Sequence, residues 1–208
     1  MIPKTLEQKL NEGRQYRSVV EIRAVDEEMV VEGYATTFNE PYTLYEDDEI
    51  RVMEQVDAHA FDDTDMADVI MQYDHEGRVF ARIANGTLKL TPDEHGLHVR
   101  ADLGGTEIGR QLYEEIKGGY TSKMSFGFTV AADEELRKDE DGKTTYLRTI
   151  TSIRKLYDVS AVSLPANNAT EISARAFCEG VIAKAAEERR AAADRERRVR
   201  KIKILMEV

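Results

Sequence analysis

The sequence predicts an α+β domain, and three observations predict it. Short apolar runs alternate with period two, turn-forming residues separate them, and one internal segment carries apolar residues at helical spacing. A second helical signal, rich in Ala, Glu and Arg, closes the chain. With 208 residues the chain suffices for one substantial core and an appendage. The expected division is a polar leader over 1–17, a body over 18–177 and a charged helical tail over 178–208.

Residues 18–23 and 29–35 read as two strands of a hairpin turning at Asp26-Glu27. The acidic stretch from Asn39 to Glu49 contains Pro41 and has no period, so it reads as a loop; residues 57–61 read as a short helical segment. Strands are expected over 69–73, 86–90 and 96–103, with turns at Asn85-Gly86 and Pro92-Asp93. The helix spans 107–117, where Ile108, Leu112 and Ile116 recur every four residues, Thr106 caps the start and Gly118-Gly119 ends it. From Lys123 a strand sends Met124, Phe126, Phe128 and Val130 into the core, with Ser125, Gly127 and Thr129 on the opposite face. A polar loop over 133–143 precedes closing strands at 144–150 and 156–164, which Pro165-Ala166-Asn167-Asn168 stops. A helix over 181–203 carries Asp194/Arg198 and Glu196/Arg200 at i,i+4 spacing. Its apolar stripe begins only with Val199, Ile202 and Leu205-Met206, so weak packing on the body and docking on a partner are expected.

Charge excludes one large class of function. The net charge is −11, divided into −14 over residues 1–177 and +3 over 178–208. Nucleic-acid binding needs clustered Lys and Arg to neutralise phosphates, and this body lacks them. The single cysteine, Cys178, forms no internal disulfide, no apolar run is long enough for a membrane span, and residues 1–5 lack the apolar stretch of a secretory signal. A reducing, cytoplasmic setting is expected.

Ser125 is the best candidate nucleophile; the plainer reading is a half-exposed serine on an ordinary amphipathic strand, and Ser122 is the fallback if the register is shifted. Serine catalysis needs a general base in hydrogen-bond reach and a third group to orient that base. Four histidines are available. His75 ends a strand whose Val69, Met71 and Tyr73 share its face and precedes a Glu76-Gly77-Arg78 loop, so it can reach a neighbouring strand; a structural histidine is the alternative. His95 and His98 flank a turn and should not converge, and His59 is structural. Asp158 is the third candidate. Period-two counting puts it on the face of Leu156, Ser160 and Val162, where a carboxylate needs a partner: a histidine N–H, or Arg154. His75 with Asp74 and His59 makes a weak metal set without HExxH or paired Cys/His spacing, and Gly104-Gly105-Thr106 lacks the lysine and spacing of a phosphate loop. No cofactor and no metal are expected.

In order, Tyr73-Asp74-His75, a helix ending in Gly118-Gly119, Met124-Ser125-Phe126-Gly127-Phe128, Tyr157-Asp158-Val159-Ser160 and Pro165-Ala166-Asn167 resemble the prohead (capsid maturation) serine proteases of tailed bacteriophages. The resemblance covers about residues 18–177. It implies Ser125 as nucleophile, His75 as general base, and a fold similar to that of the herpesvirus assembly proteases, a mainly antiparallel β-barrel wrapped by a few helices. The order His, Ser, third member differs from those of chymotrypsin, subtilisin and the α/β-hydrolases. The herpesvirus enzymes use a second histidine as third member, but none follows His98, and the phage family usually has Glu where this chain has Asp158. Where the family more often has a Gly-Arg pair this chain has Val79-Phe80-Ala81-Arg82, with Arg82 the available arginine. The implied activity is serine endopeptidase. Its implied substrates are the scaffolding segment of the major capsid protein or a separate scaffold protein, and the chain itself, inside a procapsid in the host cytoplasm, with a possible homo-oligomer and no direct contact with nucleic acid or membrane. A non-catalytic capsid-assembly module with the same barrel would hold Ser125 and His75 far apart; a metal-dependent hydrolase would be inhibited by chelators.

Overall fold

The computed structural model describes residues 12–25, 29–140, 142–163 and 168–206. In chain order the elements are β1 (Gln15–Val25), β2 (Val30–Thr37), β3 (Tyr42–Glu46), β4 (Ile50–Val56), β5 (Ile70–Tyr73), β6 (Glu76–Arg82), β7 (Leu88–Pro92), β8 (Gly96–Asp102), α1 (Glu107–Lys117), β9 (Lys123–Glu140), β10 (Lys143–Val162) and α2 (Asn168–Met206). The α+β class holds, and most strand pairs are antiparallel. The sheet runs β3-β4-β10-β9-β1-β2-β8-β7 and does not close into the expected barrel. One edge of β10 is shared by two short parallel strands in tandem, β4 along 144–150 and β5 along 158–161. Each of these then turns to its own antiparallel partner, β3 or β6, so the ladder branches instead of meeting β7.

Several elements differ from expectation for identifiable reasons. The body's first strand begins at Gln15, inside the expected leader, because 15–18 pair with the Ser125 strand. The turn at Asp26-Glu27 and the stop at 165–167 lie outside the described residues. The segment read as a loop contains β3, and β4 went unrecognised because Glu54 interrupts its apolar alternation. Residues 57–61 form successive turns, not a helix, with Ala60 N bonded to Asp57 O at 3.1 Å. The Glu76-Gly77-Arg78 loop is the start of β6. The polar loop over 133–143 is a ribbon: β9 runs to Glu140, its exposed residues fixed by continuous pairing to β10, which is itself one strand where two were expected. Ion pairs Lys184–Glu135, Arg137–Glu188 and Arg189–Glu49 tie α2 to the ribbon and to the β3–β4 turn.

The helix α1 forms as read: Thr106 Oγ1 accepts from Gly109 N at 3.0 Å, and Gly119 leaves the helix at φ 75°, a left-handed conformation that costs glycine little. It lays Leu112, Tyr113 and Ile116 on the main core, which Met124, Phe126 and Phe128 enter from β9 and Met71, Val159 and Ala161 from β5 and β10. A smaller cluster joins Ile50, Val52 and Tyr146 to Cys178, Val181 and Ala185 of α2. The helix therefore does pack on the body over this stretch; its described side chains from 186 to 202 are exposed. Buried Arg17, Glu54 and Arg148 form a charged cluster, with Phe177 of α2 beneath the Arg148 guanidinium at 4.6 Å.

Candidate active site

Ser125 sits where the alternation of β9 places it, on the face opposite Met124, Phe126 and Phe128 and directly across from Ser160 of β10. Asp158 reaches the same face by a route that period-two counting misses. A register shift between Leu156 and Asp158 leaves Leu156 opposite Phe128 in the core and puts Asp158 opposite Gly127. Asp158 therefore shares a face with Ser160 and Ser125, but not with Leu156. Gly127 leaves no open space: a Cβ there would meet Asp158 Oδ2 at 2.4 Å and Tyr16 Cε1 at 2.7 Å.

His75 arrives from a tight turn. Tyr73 pairs with Glu76, leaving Asp74 and His75 as a two-residue hairpin loop with φ 48° and 61°. Such loops favour glycine, and Asp and His are among the few other residues that tolerate positive φ. The turn is fixed to the end of β10: Asp74 N donates to Ala161 O at 3.0 Å, and the Asp74 carboxylate accepts from Ser163 N at 3.2 Å and Ser163 Oγ at 3.1 Å. Instead of continuing the face of Met71 and Tyr73, the imidazole turns over β10 to the Ser125 face.

The three side chains meet in a line. His75 Nε2 lies 2.6 Å from Ser125 Oγ, while Nδ1 is hydrogen-bonded to Asp158 Oδ1, which also accepts from Ser160 Oγ at 3.0 Å. An ionised carboxylate only accepts, so Nδ1 carries the proton and the Nε2 lone pair faces the serine hydroxyl. Ser125 and His75 are 0% exposed and Asp158 2%. Arg154, the alternative partner for Asp158, is exposed. A groove of about 570 Å³ between α1 and the β5–β6 hairpin includes Asp74, Glu76 and Phe80 but none of the three.

The other candidates lie elsewhere. His59 bonds Asp62 at 3.0 Å on the surface, and Arg82 pairs with Asp68. His95 and His98, expected to diverge, both meet the Tyr34 ring edge-on, at 4.6 and 5.2 Å. Ser122 is exposed, its carbonyl accepting from Ile22 N at 3.0 Å. His75, Asp74 and His59 thus face three different partners, and no group of three or more metal-ligating side chains occurs among the described residues.

Sequence reasoning missed Tyr16. It is wholly buried, with its ring centroid 4.4 Å from that of His75 and tilted by 59°. Burial, then the negative charge of Asp158, push its phenol well above the ordinary range, with Arg14 opposing, so it stays neutral at working pH. Its place in a polar leader gave no signal. Ser160, two residues from Asp158, was legible as a neighbour of the same face but not as its donor.

Residues 18–181 match the family model of the Caudovirus prohead serine proteases. No curated protein and no solved structure matches the chain. Because the family match takes in most of the 208 residues, including all three members of the Ser125–His75–Asp158 line, this chain belongs to the Caudovirus prohead serine protease family, whose members are serine endopeptidases.

Proposed function

We propose that Ser125 is the nucleophile, His75 the general base and Asp158 the group that orients the base, in an endopeptidase that acts on capsid proteins inside the prohead. The observation that carries this is the unbroken line from Asp158 Oδ1 through both ring nitrogens of His75 to Ser125 Oγ. A non-catalytic assembly module was expected to hold Ser125 and His75 far apart, and here they lie 2.6 Å apart. His75 Nε2 takes the Oγ proton as the oxygen attacks a peptide carbonyl, and returns it to the leaving amine. The acyl-enzyme is then hydrolysed by water, which His75 deprotonates in turn. Asp158 stabilises the imidazolium that forms at each step without taking its proton. Since Ser125 and His75 are fully buried, a peptide reaches Oγ only after local opening.

The substrates on this reading are the scaffolding segment of the major capsid protein or a separate scaffold protein, and the chain's own tail. The charge reversal between the body, at −14, and residues 178–208, at +3, supports a distinct docking or removable tail, as does the exposure of residues 186–202. The test is to purify wild type and Ser125→Ala and determine both masses, alone and after mixing with the capsid protein. Shortening that occurs with wild type and not with Ser125→Ala supports the reading; equal processing by both overturns it.

A further inference from the structure

We infer that Tyr16 is a positioning residue of this peptidase, a wall that fixes the His75 imidazole against Asp158, so that the catalytic machinery extends N-terminal to the family-matched segment. The inference rests on the triad proposed above. Three strands contribute to one spot: Tyr16 of β1 lies opposite Gly127 of β9, which lies opposite Asp158 of β10. Directly paired residues share a face, so the ring and the carboxylate lean over the same glycine from its two sides. The absent Cβ of Gly127 makes room for both, at 2.4 Å from Asp158 Oδ2 and 2.7 Å from Tyr16 Cε1. The tilted ring then packs against the imidazole, whose two nitrogens are already engaged. With one nitrogen held by Asp158, the other by Ser125 and the Tyr16 ring packed against it, the imidazole has little room to rotate.

Tyr16 is not ordinary core. Fully buried as it is, it belongs to neither apolar cluster. Nor is it a loose strap that a substrate would push aside. The neighbouring Arg17 is completely buried, its Nη1 donates to Tyr16 O at 2.8 Å, and its Nε and Nη2 reach the two oxygens of buried Glu54 at 2.5 and 2.9 Å. Ser18 Oγ adds a bond to Met124 O at 3.0 Å. This anchoring favours a fixed wall over an inhibitory flap, whose removal would raise activity.

The experiment uses the full chain with Ser125→Ala, Tyr16→Phe, Tyr16→Leu and Tyr16→Met, with cleavage of the capsid protein followed across pH. Tyr16→Phe keeps the flat ring and should retain the greater part of the activity. Tyr16→Leu and Tyr16→Met should lose about 10- to 100-fold in kcat with little change in KM, since small misplacements of a catalytic group cost that much. They should also move the acid limb of the kcat/KM profile and shift or broaden the far-downfield imidazole N–H resonance of His75. If leucine prevents folding, the more adaptable methionine supplies the comparison. A folded Leu or Met variant with unchanged kcat and an unmoved pH profile overturns the inference, as does a rise in activity, or a loss that leaves profile and resonance unmoved. An active Ser125→Ala would instead defeat the triad itself, and Tyr16's role with it.

Discussion

Gly127 has no side chain, and that absence decides what its neighbours do. Asp158 and Tyr16 occupy the space a Cβ would take, so Gly127→Ala must push the carboxylate off the His75 axis. The expected result is a fall in kcat of about 10- to 100-fold, with a stability loss of about 1–3 kcal/mol from overpacking, measured by steady-state kinetics and urea unfolding of the same preparation. Ser160→Ala removes a buried donor to Asp158 Oδ1 and should lower kcat while leaving KM near wild type; an unchanged kcat would make Ser160 mere packing. That Ser125, His75 and Asp158 would meet was legible in the sequence because the proposed nucleophile, base and acid are distinct residue types and only four histidines compete. The face of Asp158 was misread because a bulge shifts the alternation by one, and no glycine over 156–158 announces it. Tyr16 was illegible because its role depends on pairing with a residue more than a hundred positions away.

At the scale of elements, the His75 hairpin and the buried charge cluster show two ways in which pattern reading fails. A two-residue loop with positive φ at Asp and His lacks the glycine that usually betrays such a turn, so β6 passed for a loop. The strand β4 was hidden by Glu54, whose burial makes sense only beside Arg17 and Arg148. By contrast α1, whose spacing, cap and stop all agree, formed within the expected bounds. Burial alone would raise the Glu54 carboxyl, but Arg17 and then Arg148 outweigh it and hold it below the usual range. A lowered folded-state value means that this stability is present above the ordinary glutamate value of about 4.3 and is lost as pH falls through the folded-state value. Glu54→Gln should therefore cost about 3–5 kcal/mol at neutral pH by taking its carboxylate from the buried Arg17 guanidinium, Arg148 keeping Asp133, and should flatten the decline of unfolding free energy on acidification. Urea titrations of both proteins from neutral to acid pH check this; parallel pH dependences would contradict it.

Over the whole molecule, the long β9–β10 ribbon is the spine: it carries Ser125 and Asp158, receives the His75 hairpin at one end and ties to α2 at the other. Among the described side chains of the helix α2, about 58 Å long at 1.5 Å per residue, those that pack on the body are Phe177, Cys178, Val181, Ile182 and Ala185. Deleting 187–208 should cost about 1 kcal/mol or less, the worth of a few exposed ion pairs, whereas Val181→Asp buries a charge and should cost at least about 2 kcal/mol; thermal melts of both variants decide between these. Activation of Ser125 by His75 is read out by intact-mass and peptide mapping after treatment with a fluorophosphonate, which loses fluoride to an activated serine. One adduct on Ser125 in wild type, absent from His75→Ala, is the predicted result; an adduct on Ser122 or none at all, or equal labelling of Ser125 without His75, would contradict it.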